Sequence, residues 1–210
     1  MKIWNSTTAY SVNEIVQYAN VLYQSLTHNN TGHNPSETGS QYWVIYEDPL
    51  TMVYNALWDM LEASSALTSL VPVRNRIKFT GANIEPSKEL LNTEDYPQLS
   101  IVPVSTTPHL QRTSTESTLL KRYRIVVLTG DKRIDAGLFA IEWEVYRALQ
   151  GWVETLMSLQ WNGNNFVVLA RPMTVNDYIT NASIDKNISG WIGIWECEVE
   201  MAFSTSDLIC

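Results

Sequence analysis

Near the C-terminus of this 210-residue chain, three glutamates alternate with apolar side chains. Glu196, Glu198 and Glu200 interleave with Trp195, Cys197, Val199, Met201 and Phe203. A strand has a side-chain period of two, so this order puts the apolar set on one face and three carboxylates in a row on the other. Like charges this close repel unless water or a partner's cations screen them. The plain reading is a solvated sheet face. The functional reading is an acidic wall that repels phosphate.

Little else in the chain has the spacing of a reactive group. The histidines are His28, His33 and His109. His28 and His33 stand among asparagines, with only Glu37 as a nearby carboxylate, which describes solvated loop residues better than a metal site. Cys197 and Cys210 form no CxxC and no Cys/His cluster, so neither zinc nor a disulfide framework is indicated. Reduced thiols fit synthesis in a cytoplasm. Glu94-Asp95 and Glu142/Glu144 are carboxylate pairs without a bracketing nucleophile, and they read as surface charge. No Gly-rich phosphate loop, nucleophile elbow or HExxH occurs. The expectation is a non-enzymatic protein without metal or cofactor.

Composition agrees with an ordered, globular chain. Hydrophobic residues make up 45% and charged residues 17%, enough apolar side chain for a substantial core. Net charge is −8 and the pI about 4.8. A protein that grips phosphates needs a basic face, and the one basic cluster is Lys121-Arg122-Tyr123-Arg124. The eight tryptophans fit either a Trp-rich core or assembly contacts, because Trp is enriched at interfaces. The N-terminus lacks an apolar signal core and no apolar run is long enough for a membrane span, so neither secretion nor membrane insertion is expected.

The elements that must position these residues fall into two parts. Residues 1–46 read as a small all-β module with an aromatic signature: Trp4, Tyr10, Tyr18, Tyr23, Tyr42 and Trp43. Ile15–Tyr18 and Val21–Tyr23 flank Ala19-Asn20, a two-residue turn with Asn available for positive φ. A polar loop spans 27–40, and 42–46 reads as a last strand. The boundary is Glu47-Asp48-Pro49, where Asp48 suits a helix cap and Pro49 a first turn.

Residues 47–210 read as α+β, mainly an antiparallel sheet flanked by helices. Leu50, Val53, Leu57, Trp58 and Leu61 have helical spacing, extended weakly through 67–71 until Pro72. Residues 73–97 read as mostly irregular. A strand is expected over 99–104, interrupted at Pro103, then a Ser/Thr-rich loop or hairpin tip over 105–118. A stronger strand covers 119–128. One long helix is expected over 136–161. Leu138, Ile141, Val145, Ala148, Trp152, Leu156 and Leu159 form one apolar stripe, and Phe139, Trp143, Tyr146, Val153 and Met157 a second beside it. Two stripes imply that the helix packs on the sheet and also meets something else. Strands over 166–170 and 191–203 complete the set.

Residues 1–46 resemble the chitin-binding type 3 carbohydrate-binding modules. That family has an initial Trp, here Trp4, and an aromatic-led segment ending in Tyr, here Tyr10-Ser11-Val12-Asn13-Glu14-Ile15-Val16-Gln17-Tyr18. Leu22-Tyr23, Gly32 before Asn34-Pro35, and the closing Trp43 complete the match. The family carries sugar-stacking tryptophans just after the Leu-Tyr pair, whereas this chain has Gln24-Ser25-Leu26-Thr27. The resemblance implies a surface glycan as ligand and leaves Tyr10, Tyr42 and Trp43 as the candidate stacking platforms. Trp4, Tyr18 and Tyr23 are assigned to the core.

Residues 49–203 resemble the tail terminator and tail-completion proteins of bacteriophages. The likeness lies in the order of elements: an amphipathic helix, the strand Tyr96-Pro97-Gln98-Leu99-Ser100-Ile101, a Ser/Thr segment leading into Tyr123–Gly130, a long helix and a final antiparallel pair. It implies a virion protein at the head–tail junction, made in the host cytoplasm. It also implies a homo-oligomer, a hexameric ring, that contacts neck and tail tube proteins and lets DNA pass without specific binding. Glu196, Glu198 and Glu200 would then face the lumen and repel DNA. The alternative is a carbohydrate-binding adhesin on a structural scaffold, which leaves the larger region without a role. A polysaccharide hydrolase is weaker still, because that region is small for a barrel and shows no suitable acid pair.

Overall fold

The computed structural model describes residues 2–37, 40–77, 96–113, 116–130, 137–161, 163–175, 180–185 and 188–204. The fold is α+β, and the chain divides into two compact units, Met1–Thr51 and Met52–Cys210.

The first unit is a sheet of β1 (Lys2–Ile3), β2 (Ile15–Tyr18), β3 (Val21–Ser25) and β4 (Trp43–Ile45), in that order. β1 runs parallel to β2 and the other pairs are antiparallel. Ala19 (φ 48°) and Asn20 (φ 65°) are both left-handed, as a two-residue hairpin loop with strand-matching twist requires. Asn tolerates that region; for Ala19 it costs about 1 kcal/mol. So small a unit has little aliphatic core, and four residues carry it: Tyr10, Val16, Tyr23 and Trp43. Trp4, Tyr18 and Tyr42 pack against them. Trp4 meets Tyr18 edge to face at 5.2 Å, and Tyr10 meets Trp43 likewise at 5.3 Å, the geometry ring quadrupoles favour.

The second unit begins within α1 (Pro49–Ala63). The Asp48 carboxylate accepts the Leu50 and Thr51 N–H groups at 3.0 Å each, and Pro49 needs no such partner. Ser64 caps α2 (Ser65–Leu70) through the Leu67 N–H, and Pro72 follows the helix end. A short 3-10 turn, Val73–Asn75, leads into β5 (Arg76–Ile77). Then come the long hairpin β6 (Gln98–Thr113) and β7 (Glu116–Thr129), α3 (Leu138–Ala148) and α4 (Trp152–Met157). β8 (Gln160–Trp161) and β9 (Asn164–Asn165) pair with each other, and β10 (Val167–Val175), β11 (Thr180–Asp185) and β12 (Ile188–Ser204) finish the unit. The main sheet has the order β10-β12-β7-β6-β5, antiparallel except for β5 beside β6, with β11 also paired to β12.

Two expectations change. In the Ser/Thr segment expected as a loop or hairpin tip, residues 105–113 and 116–118 are strand. Ser105, Thr106 and Thr107 pair with Arg122, Lys121 and Leu120, and the ladder reaches Thr113 opposite Glu116. Threonine suits a pleated, half-buried surface, and β7 needs partners along its whole length. A register shift between Pro103 and Ser105 absorbs the proline. The single long helix is two. Leu149 leaves helical geometry at ψ 5° and Gly151 at ψ 8°, and the Trp152 N–H returns to the Leu149 carbonyl. Glycine is a poor helix former, and beyond the break Trp152 and Leu156 of α4 are buried where α4 packs against β10.

One face of the sheet carries the apolar core. Tyr123, Ile125 and Val127 of β7 and Trp195, Cys197 and Val199 of β12 are buried, and they share that face by alternation. Tyr54 of α1 stacks over Tyr123, and α3 lies across β7 and β12 at Gly193. There a Cβ would sit 2.5 Å from Glu142 Oε1 and 2.9 Å from Leu138 Cδ1. Gly193→Ala should therefore make the Glu142 and Leu138 side chains shift and cost about 1 kcal/mol. A lowered thermal midpoint checks this; a midpoint unchanged within error would refute the close approach.

Candidate functional site

The alternation of β12 puts Glu196, Glu198 and Glu200 on the face opposite its apolar residues, but they do not form a bare acidic row. Glu196 stands opposite Arg124 and Glu198 opposite Arg122 on β7, while Arg171 on β10 faces Glu198 from the other side. Arg122 Nε donates to Glu198 Oε2 at 2.7 Å, and Arg171 Nη1 lies 2.7 Å from Glu198 Oε1. Arg124 Nε donates to Glu196 Oε1 at 3.1 Å, with its Nη2 on the same oxygen. Glu198 holds the Arg122 guanidinium above its ordinary pKa through this hydrogen bond and its charge. Glu200 is buried between Leu120 and Leu169 in the ladder.

Depth decides what this face presents. The Arg122 and Arg171 side chains are 54% and 57% exposed, against 13% for Glu198. Around Glu198 the carboxylate lies beneath and the arginines outermost, whereas Arg124 and Glu196 are exposed to 42% and 30%. Alternation located the carboxylates correctly. What it missed was the cross-strand register, which alone shows that Arg122 and Arg124 repeat with the same period directly opposite. Beneath the ladder on the apolar face, burial pushes the Cys197 thiol up to about 12.

The helix side offers a second surface. Leu138, Ile141 and Val145 of α3 are buried, while Phe139, Trp143 and Tyr146 are exposed, Trp143 to 58%. Trp143 and Tyr146 stack on each other at 5.8 Å. Met157 of α4 is exposed as well. The two expected stripes thus exist, one against the sheet and one facing solvent. Arg147 pairs with Glu144 beside the second stripe.

In the first unit the candidate platforms separate. Tyr10 is 1% and Trp43 4% exposed, so neither has a ring face free for a sugar. Their polar atoms are engaged too. The Tyr10 hydroxyl accepts the Asn5 N–H at 2.6 Å, and Trp43 Nε1 donates to the His33 carbonyl at 2.8 Å. Tyr42 is half-buried, and one of its faces is covered by His33, stacked at 3.4 Å and 8°. His33 Nδ1 is 2.9 Å from Asn30 Oδ1, and the buried Asn30 amide donates to Ser25 Oγ and the Tyr42 carbonyl. Where the resemblance leads one to look for stacking tryptophans, Ser25 is buried in this network and Leu26 is exposed. The large exposed apolar residues described in this unit are aliphatic: Ile3, Val21, Leu26, Val44 and Ile45.

His28 is exposed, and His109 lies in β6 opposite Thr118. Glu94 and Asp95 lie outside the described residues. Among the described residues no three His, Cys, Asp or Glu side chains gather as a metal-holding group, and no helix is long and apolar enough to cross a membrane.

No family model and no curated protein match the sequence. Among solved structures, the chain is similar to the gp17 protein of bacteriophage SPP1, at 23% identity and a TM-score of 0.37, over 70% of this chain and 86% of that one. It is also similar to a chain of the virion of a native gene transfer agent particle, at 15% identity and a TM-score of 0.41, over 70% and 93% of the two chains.

The burial pattern makes two substitutions diverge. Trp43→Ala should cost the first unit about 3–5 kcal/mol, enough to unfold it, whereas Tyr42→Ala should cost clearly less. Near-UV circular dichroism and thermal melts separate them; equal losses would contradict the placement of Trp43 in the core. In a Cys210→Ser chain, Cys197 should resist iodoacetamide at pH 8 until denaturant is added. Rapid labelling of the folded chain would contradict its burial.

Proposed function

We propose that the chain is a structural protein of a tailed-phage virion, a ring subunit at the head–tail junction that ends the tail tube and lets DNA pass. The observation that carries this reading is the two-sided build of the unit Met52–Cys210. One sheet holds an exposed aromatic stripe on its helical side and a half-exposed arginine–glutamate ladder on the other. A self-contained enzyme or monomeric binder has no need of two such surfaces, whereas a subunit held between neighbours does. The order of elements that resembles tail terminators supports the same reading.

In this reading the unit Met1–Thr51 is a surface decoration. The adhesin alternative rests on Tyr42 once Tyr10 and Trp43 belong to the core. The ladder sets Arg122, Arg124 and Arg171 against Glu196 and Glu198, so it is not a bare acidic wall, and in this reading the DNA-facing surface is assigned elsewhere in the ring.

Electron microscopy of purified particles tests the proposal. Antibody or gold label against the chain should mark one site per particle, at the neck, as a closed ring. Its absence from particles, or label spread over the capsid, would overturn the proposal. Retention on chitin that Tyr42→Ala abolishes in a chain that still folds would favour the adhesin.

A further inference from the structure

The geometry points to a head-to-tail contact between copies of this chain, in which the aromatic stripe of α3 on one copy seats on the arginine ladder of the next. The inference rests on the ring reading for its consequence and names the contact that would build such a ring. Phe139, Trp143 and Tyr146 repeat at helical spacing and face solvent, although the same helix already buries its other stripe. Solvation alone does not account for a second stripe with a Trp and a Tyr stacked on each other. Across the sheet, Arg122 and Arg171 project beyond Glu198, and the half-exposed Arg124 is held beside them by Glu196.

The two surfaces are complementary in chemistry. Aromatic ring faces carry partial negative charge and attract guanidinium groups, and a planar guanidinium already oriented by a carboxylate loses little freedom on stacking. Trp, Tyr and Arg are also the residue types that dominate interface energetics. Half-exposed Val126 and Ile194 beside the ladder supply apolar area for the rest of the stripe.

Position makes the occupant a second copy. The stripe and the ladder lie on opposite sides of one sheet. A two-fold dimer would use one surface twice and leave the other bare, whereas a head-to-tail contact covers both in every copy. Such a contact propagates, and it closes into a ring when the rotation between copies divides a full turn. The face that alternation alone gives to a lumen becomes a subunit contact.

The test is light scattering of the full-length chain across a concentration series. Wild type should assemble with rising concentration. Trp143→Glu and Arg171→Glu should each remove assembly. Because Arg171→Glu sets a carboxylate beside Glu198, Arg171→Gln serves as a milder variant that keeps the Arg122–Glu198 bond; it should weaken assembly about tenfold with an unchanged melting temperature. Mixing Trp143→Glu with Arg171→Glu should restore dimers and nothing larger, since that pair retains one intact contact. Wild-type assembly that survives both glutamate variants would overturn this interface and leave the ring reading standing. A wild-type chain that stays monomeric at every concentration would overturn both.

Discussion

The register between β7 and β12 fixes the larger unit. Along that pair, Tyr123 faces Cys197, Ile125 faces Trp195 and Val127 faces Gly193, while Arg124 faces Glu196 and Arg122 faces Glu198. A slip of one residue would invert both faces at once. Trp195 and Val199 would enter water, and Glu196 and Glu198 would enter the space beneath α1 and α3 without cations. Burying unpaired carboxylates there would cost several kcal/mol each, a large share of the stability of a typical domain. The arginine–glutamate pairs are modest as surface ion pairs. Their larger effect is to admit a single register, which in turn aims Gly193 at α3 and sets Tyr123 under Tyr54.

That constraint explains which parts of the fold were legible in the sequence. Patterns with a fixed local period were readable: the alternation of β12, the twin stripes of α3, the turn at Ala19-Asn20, and the Asp48-Pro49 helix start. Features that depend on a distant partner were not. The segment 105–113 is polar enough to pass for a loop, and it becomes strand because β7 continues past Leu120 and must be paired. The helix break at Leu149–Gly151 was hidden because the apolar stripe runs on in phase from Val145 to Trp152 and Leu156. The glutamates of β12 were found without their arginines, since Arg122 and Arg171 are brought to them by pairing between strands far apart in sequence.

The first unit shows the same division. Its aromatic signature describes a small core accurately, and the rings that look most useful for binding are largely those the unit needs for stability. With few aliphatic residues to bury, Tyr10 and Trp43 are drawn inside, and their polar atoms are satisfied by Asn5 and His33. Tyr42 is left at the margin under an imidazole. Burial of Ser25 beside Asn30 turns the segment after Leu22-Tyr23 into part of a hydrogen-bond network.

One edge of the main sheet has a further consequence. Among the described residues β5 covers only Leu99 and Ser100 of β6, while the hairpin runs on to Thr113. Along that rim Pro103 and Pro108 have no N–H to offer, and the ladder shifts register beside the first of them. A strand arriving from outside finds donors missing at intervals and a template that does not run straight. Sideways growth into an endless ribbon is thereby discouraged, and a protein crowded among its own kind keeps its sheets discrete.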